Sequence, residues 1–390
     1  MTRRSVLVEE VTAPLVPYTE AVRRVCQSFS ALPPCSVEVS AALGLVLAED
    51  VVSEIDVPPF ANSAMDGYAI RSQDTTDASI SEPVCLSSTS KVMTGRPLPV
   101  GCDAVVPWED ADLNSGAIKA HRPVQSGAYV RPVGEDLNAG DTVMKVGSEL
   151  SSVHLGVLAA IGRREVRITP RPRVAVLSTG DELVAAGDHL REGKVYDANT
   201  VMLPARLCEA QAEVGRVARL GDDRELIASW LHTVAQEVDV IVTTGGASVG
   251  EQDWLRDILR AEGTLDLWRV AMRPGKPFGS GSVDGTPVFI LPGNPASVLA
   301  CAHAFVLPAL RILSGRRPEH ESVEANLAVA VKAPGGRTFL CPVFLKGSDA
   351  VPALAGSSSV LSNHLDSDGF AVVPAGGLDA GAAVIVELRV

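Results

Sequence analysis

Residues 243–253 read Thr243-Thr-Gly-Gly-Ala-Ser-Val-Gly-Glu-Gln-Asp253, and their surroundings decide the fold of the middle of the chain. Val238-Asp-Val-Ile-Val242, a short apolar run of the kind that forms a fully buried strand, comes before them. Trp254-Leu-Arg-Asp-Ile-Leu-Arg260 follows, with apolar positions 254, 255, 258 and 259 at helical spacing. A strand, a glycine-rich turn and a helix in that order aim backbone N–H groups and the helix dipole at an anion. The turn also carries Glu251 and Asp253, which repel an anion unless a cation lies between. The pairing points to a phosphate-bearing substrate held together with a divalent metal.

The same alternation extends on both sides. Val174-Ala-Val-Leu177 reads as a buried strand, 199–213 as a helix, 214–220 as a strand and 224–235 as a helix. Val288-Phe-Ile-Leu291 reads as a further strand, and 295–313 as a long helix interrupted at Pro308. Strands alternating with helices imply a mostly parallel sheet covered on both faces, with ligands beyond the carboxyl ends of its strands. Residues 171–317 are therefore expected to form a central αβα domain.

The flanks differ in texture. Residues 18–31 and 36–46 suggest short helices, and 48–53 a strand-like exit. Residues 54–140 are rich in Pro, Gly, Ser and Asp with short β-like runs, the pattern of an inserted β-rich domain with functional loops. Residues 141–170 return to strand–turn–helix character and complete a helical and extended linking domain begun by 1–53. After 317 the helical signal stops, and 318–390 read as a β-barrel or small sandwich.

Composition narrows the function class. The chain has 390 residues, enough for two to four domains. A net charge of −13 and a pI near 5.1 argue against nucleic acid as a partner. No apolar stretch is expected to reach the ~20 residues that span a membrane. The apolar run after Arg3-Arg4 is too short for a signal peptide, so the expected location is cytoplasmic. The 7 cysteines form no C-x-x-C pair, which disfavours a disulfide framework or structural zinc.

Four post-strand turns carry the polar chemistry: Leu177-Ser-Thr-Gly-Asp-Glu-Leu183, Gly221-Asp-Asp223, the opening stretch with Asp253, and Leu291-Pro-Gly-Asn-Pro-Ala-Ser297. Asp222 or Asp223 is expected to cap the helix after it, and Asp253 equally suits a cap. Asn294 suits an N-cap and Pro295 the first helical position, leaving that N-terminus open to an oxyanion. Arg273-Pro-Gly-Lys-Pro277 sets cations on a loop stiffened by two prolines. Three loops of the inserted domain, 58–69, 93–97 and 132–136, each suit a surface turn but together resemble the edge of a site.

Taken in order, Asn62-Ser-Ala-Met-Asp-Gly-Tyr-Ala69, Met93-Thr-Gly95, Gly134-Glu-Asp136, Ser178-Thr-Gly-Asp-Glu-Leu183, Thr244-Gly-Gly-Ala-Ser-Val-Gly250, Pro274-Gly-Lys-Pro277 and Leu291-Pro-Gly-Asn-Pro295 resemble the molybdopterin molybdenumtransferases, bacterial counterparts of the gephyrin E domain. The resemblance covers nearly the whole chain. It implies an elongated homodimer with the active site shared between subunits, and a C-terminal β-barrel. It also implies insertion of molybdate into adenylated molybdopterin, with Mg²⁺-dependent release of AMP. Glu182, Asp222 and Asp253 match the family's acidic and metal-holding residues, and Asp66, Thr94 and Asp136 those of the inserted domain. Thr244, Gly245, Gly246, Ser248 and Gly250, with Pro292, Gly293, Asn294 and Pro295, match the cofactor-binding turns. Lys276, Arg337 and Ser357 are candidates for holding molybdate. Molybdoenzymes or other cofactor-biosynthesis proteins are the further partners expected. Arg273 stands where the family usually has lysine, Ala61 where aspartate is common, and the second arginine of an Arg-x-x-Phe-x-Arg pattern is missing after Arg337. A scaffold of gephyrin type and a metal-dependent nucleotide pyrophosphohydrolase are the alternatives; intact acidic and glycine-rich turns favour the enzyme.

Overall fold

The computed structural model describes residues 14–87, 89–114, 117–246, 254–333, 335–353 and 360–389. The chain divides into two units, Met1–Pro34 with Thr169–Val390, and Cys35–Ile168.

The first unit is built on a six-stranded sheet in the order Glu213–Leu220, Arg173–Thr179, Val240–Thr244, Thr286–Leu291, Gly279–Val283, Gly263–Trp268. The first four strands run parallel, and the last two add antiparallel at one edge. Side chains alternate between faces along each strand. Val174, Val176, Val240 and Val242 pack with Leu203, Leu207 and Phe305 on one side. Ala175, Leu177 and Ile241 pack with Leu231, Leu255 and Ile258 on the other. Helices Asn199–Glu209, Arg224–Ala235 and Trp254–Glu262, with the run Pro295–Leu313, supply these covers. The chain is thus an α/β multidomain protein with a central αβα layer arrangement.

The two antiparallel strands escape a hydrophobic-pattern reading. Gly279-Ser-Gly-Ser-Val283 has almost no apolar alternation, because its neighbours need the space. A Cβ at Gly281 would lie 2.0 Å from the Thr264 carbonyl oxygen, and one at Gly279 would lie 2.6 Å from Cε3 of the Trp268 ring.

The run Pro295–Leu313 breaks before Pro308. Helix Pro295–Cys301 widens into a π-turn at Ala302–Val306 and resumes at Leu307–Leu313. Proline has no N–H for the preceding turn, and the wider winding accommodates that loss. By length and composition this 19-residue run is apolar enough to cross a membrane, which corrects the expectation that no such stretch exists. Its most apolar window is 83% buried inside the protein.

Five strands close the C-terminal barrel: Thr338–Lys346 pairs with Asp349–Pro352, which leads through Ser322–Leu327 and Ala383–Leu388 to Gly369–Val373 and back to Thr338–Lys346. Val270–Arg273 joins the barrel in parallel at Met272–Thr338 and Arg273–Phe339. The N-terminal helix Tyr18–Gln27 buries Tyr18, Ala21 and Val25 in the same core as Leu340 and Phe370.

In the second unit, Cys35–Glu38 is a strand paired with 165–168, not the helix expected over 36–46; only Val39–Ala41 forms a short 3₁₀ turn. Val37, β-branched, suits the pleated surface formed with 165–168 better than a helix. Helix Ser152–Ala160 packs on this sheet, capped by Ser151. A separate lobe is β-rich, with Gly67–Ile70 between Ser90–Val92 and Ala104–Pro107.

Candidate active site

Four turns meet at the carboxyl edge of the parallel strands. Strand Arg173–Thr179 ends in Gly180-Asp181-Glu182, with Gly180 at φ 150°. The Asp222 amide donates to Asp181 Oδ1 at 3.1 Å, and the Asp181 amide donates to Asp222 Oδ2 at 3.4 Å. This reciprocal pair locks the first and second turns together. Gly221 belongs to the lock, since a Cβ there would lie 2.6 Å from Asp181 Oδ1. Asp223 caps the following helix, accepting from the amides of Glu225 and Leu226 at 2.9 and 3.1 Å, which leaves Asp222 free of capping duty.

Gly245 brings in the third turn. Its φ is +85°, and a Cβ would sit 2.1 Å from the Thr179 carbonyl oxygen. Only glycine permits that approach. Below it the hydroxyls are spent on structure: Thr244 Oγ1 donates to Ser178 Oγ at 3.3 Å, and Thr243 Oγ1 to the Phe289 carbonyl at 3.1 Å. Gly246, at φ +60°, packs against Leu255. The fourth turn touches the third, a Cβ on Gly293 falling 3.6 Å from Gly245 Cα. Asn294 Oδ1 accepts from the amides of Ala296 and Ser297 at 3.1 and 3.3 Å. Asn294 is thus the N-cap expected of it, and the cap takes up the first free N–H groups of the helix. Pro292 is buried and Pro295 opens the helix.

The acidic groups are accessible. Glu182 and Asp181 are exposed and Asp222 is half-buried. Lys194 Nζ donates to the Asp181 carbonyl at 2.6 Å, and the Val195 amide donates to the Glu182 carbonyl at 2.9 Å. Among the described residues, the His/Cys/Asp/Glu atoms that gather within 4.8 Å of one another are those of His303, His320 and Glu387, away from this edge. Asp253, Ser248 and Gly250 lie outside the described residues, as does Ser357.

A cationic corner lies on the loop before Phe278. Burial, and then the charges of Arg269 and Arg337, pull the Lys276 ammonium below the usual lysine range. Lys276 and Arg337, 61 positions apart in sequence, therefore feel each other's charge. Arg269, buried and at φ +61°, had no signal in the sequence as a site residue. Gly275 lets the loop pack tightly, since a Cβ would meet Cys301 Sγ at 2.5 Å.

Within the second unit, Asp66 and Thr94 are brought together. Asp66 Oδ1 accepts from the Thr94 amide at 2.7 Å and from its hydroxyl at 3.0 Å. Gly67 is required beside them, as a Cβ would lie 2.2 Å from the Val106 carbonyl oxygen. Asp136 is exposed on a different loop, its amide donating to the Val57 carbonyl at 2.9 Å.

Comparison with known proteins finds relatives along most of the chain. Three family models cover the chain: the MoeA N-terminal region over 16–162, a probable molybdopterin-binding domain over 175–312, and the MoeA C-terminal region over 324–388. Molybdopterin molybdenumtransferase 2 of Mycobacterium tuberculosis is 36% identical over 346 residues, covering 82% of this chain and 85% of that protein. The molybdopterin molybdenumtransferase of Haemophilus influenzae is 34% identical, covering 76% and 78%. The crystal structure of the molybdopterin biosynthesis MoeA protein from Pyrococcus horikosii is 33% identical and superposes with a TM-score of 0.83, covering 97% of this chain and 100% of that one. With its three regions matched in order and such relatives along most of its length, the chain belongs to the molybdopterin molybdenumtransferases, a family of transferases in molybdenum cofactor biosynthesis.

Proposed function

We propose that this protein inserts molybdate into the dithiolene of adenylated molybdopterin and releases AMP as the pyrophosphate link is cleaved. The observation that carries the reading is the convergence of four turns on one sheet edge, stitched by the Asp181–Asp222 pair, the Thr179–Gly245 approach and the Gly245–Gly293 contact. Two of those turns present carboxylates, and two present backbone with little side chain in the way.

The donor set fits Mg²⁺. Glu182 and Asp222 offer hard carboxylate oxygens, and Mg²⁺ typically takes one or two of these with phosphate oxygens completing its shell. Glu182, Asp222 and Asp253 would hold it. When bound, the ion would offset the repulsion between carboxylates and phosphates and polarise the bridging oxygen. The chain's own contribution is orientation. Asp181 fixes Asp222 through its amide, while Gly245 and Gly246 let phosphate approach the backbone. Lys276, with Arg337 and Arg269, supplies positive charge for the second substrate, molybdate, an oxyanion. Sulfur ligation of molybdenum comes from the substrate, so no cysteine cluster is needed.

The enzyme would act as a homodimer in which Asp66, Thr94 and Asp136 of one copy serve the central domain of the other. The test is AMP release from adenylated molybdopterin, with and without molybdate and Mg²⁺. Asp222→Asn and Glu182→Gln should each lower turnover on the order of 100-fold. Mixing inactive Asp66→Ala chains with Asp222→Asn chains should restore part of it. Full Mg²⁺-dependent activity in both carboxylate variants would refute the assignment, and no recovery after verified subunit exchange would refute the shared site.

A further inference from the structure

Both backbone polar groups of Asp181 are held by side chains from elsewhere in the chain. Its amide donates to Asp222 Oδ2 at 3.4 Å, and its carbonyl accepts from Lys194 Nζ at 2.6 Å. The peptide plane between Asp181 and Glu182 is therefore set from outside the turn. Glu182 depends on that plane. Its carboxylate folds back over Gly180, where a Cβ would lie 2.6 Å from Oε2 and 2.7 Å from Oε1.

A turn and a short parallel ladder bring Lys194 to this place. Its amide donates to the Arg191 carbonyl at 3.1 Å, and Gly193, at φ +76°, permits the reversal. Val195-Tyr196 then pairs with Leu183-Val184. The Val195 amide donates to the Glu182 carbonyl at 2.9 Å, and the Asp197 amide to the Val184 carbonyl at 2.8 Å. Backbone donors thus hold the carbonyls of Glu182 and Val184. The Lys194 side chain takes the carbonyl of Asp181, where the ladder ends. Residues 194 and 195 between them fix the carbonyls on both sides of Glu182.

We propose that Lys194 is a positioning residue for the carboxylates that hold the metal. It fixes the peptide ahead of Glu182 and, through the Asp181–Asp222 pair, the second acidic turn. The inference rests on the Mg²⁺ reading above. Mg²⁺ demands near-ideal octahedral geometry, so a rotated carboxylate is a poor ligand for it. Partners that orient ligands therefore carry part of the affinity. A lysine on an exposed turn is more often a solvated cation, and that role predicts the opposite sign. A bare positive charge beside carboxylates repels Mg²⁺, so removing it would tighten binding. Removing an orienting donor weakens binding.

The test titrates Mg²⁺ into the full chain by calorimetry, with AMP present to supply phosphate oxygens. Lys194→Met removes both the charge and the donor and should weaken Mg²⁺ binding about 10-fold. Lys194→Arg keeps a charged donor and should bind Mg²⁺ close to wild type. In turnover, Lys194→Met should lose activity at limiting Mg²⁺ and regain most of it at saturation, with little change in the KM for the molybdopterin substrate. Lys194 is exposed, so the metal-free melting temperature should hold in both variants. Unchanged or tighter Mg²⁺ binding in Lys194→Met would leave a surface cation and overturn the proposal. Equal weakening in Lys194→Arg, or a fall in the metal-free melting temperature of both variants, would overturn it as well. A wild-type chain that bound no Mg²⁺ would instead strike the metal reading, and this inference with it.

Discussion

Lys276 shows how one residue's task follows from its neighbours. A loop lysine in water is a solvated point charge, but here partial burial and the charges of Arg269 and Arg337 favour the neutral amine. Holding an oxyanion needs the ammonium, so anion binding should fail as pH rises, at a lower pH than an ordinary lysine would allow. Lys276→Met should reduce molybdate-dependent turnover on the order of 100-fold. Lys276→Arg, charged throughout, should remove the alkaline limb of the pH profile even if turnover is lower. An unchanged limb in the arginine variant would assign it to another group. The proline-stiffened loop and its cation were legible in the sequence. Arg337 was grouped with it only through the family resemblance, and Arg269 had no signal; strand pairing between Val270–Arg273 and the barrel brings the two segments together.

Among the elements, the turn after Val240–Thr244 is tightly constrained at Gly245. Gly245→Ala would force a side chain into φ +85° and against the Thr179 carbonyl oxygen. Strain of this kind costs about 1–3 kcal/mol, and displacing strand backbone adds to it. We expect a midpoint shift of at least about 2 kcal/mol in urea unfolding, with loss of turnover, whereas Gly293→Ala should cost less in stability. Its Cβ meets ordinary contact at 3.6 Å and its φ is not positive. Equal destabilisation by the two would show that the turns do not stack as described. The glycine-rich run marked this turn in the sequence, while the edge strand Gly279–Val283 gave no periodic signal.

For the whole molecule, the junction of the apolar helix run and the barrel holds a buried titratable cluster. His303 Nε2 lies 2.9 Å from Glu387 Oε2, and its ring stacks on His320 with centroids 3.7 Å apart. Burial, and then the charges of Arg206 and Arg311, lower the His303 pKa to about 3. Burial likewise holds His320 down to about 3, with His303 and Arg311 adding to the effect. Between that value and the ordinary histidine value the unfolded chain binds more protons, so stability rises with pH and is lost on acidification. Each histidine contributes a slope of at most about 1.4 kcal/mol per pH unit in that window. Glu387, raised by burial, offsets part of it. The melting temperature should therefore fall from pH 7 to pH 5, and His303→Gln should flatten that dependence. A wild-type slope retained in the variant would place the titration elsewhere.

The four parallel strands of the central domain and the helices between them, the glycine turns and the succession of acidic loops were legible in the sequence. Each rests on local chemistry: apolar periodicity, cap residues, and glycine where φ is positive. Helix 36–46 was misread because the strand's partner lies at 165–168, beyond any local window. The expectation that no apolar stretch reaches span length overlooked Pro295–Leu313, and composition by itself does not say whether such a run meets lipid or the protein interior. Only tertiary structure decided that Asp222 is held by Asp181, that Asp66 accepts from Thr94, and that Asp197 keeps a buried oxygen without a donor. These facts depend on where backbones far apart in sequence come to rest, and on how burial removes the water that would otherwise satisfy their polar groups.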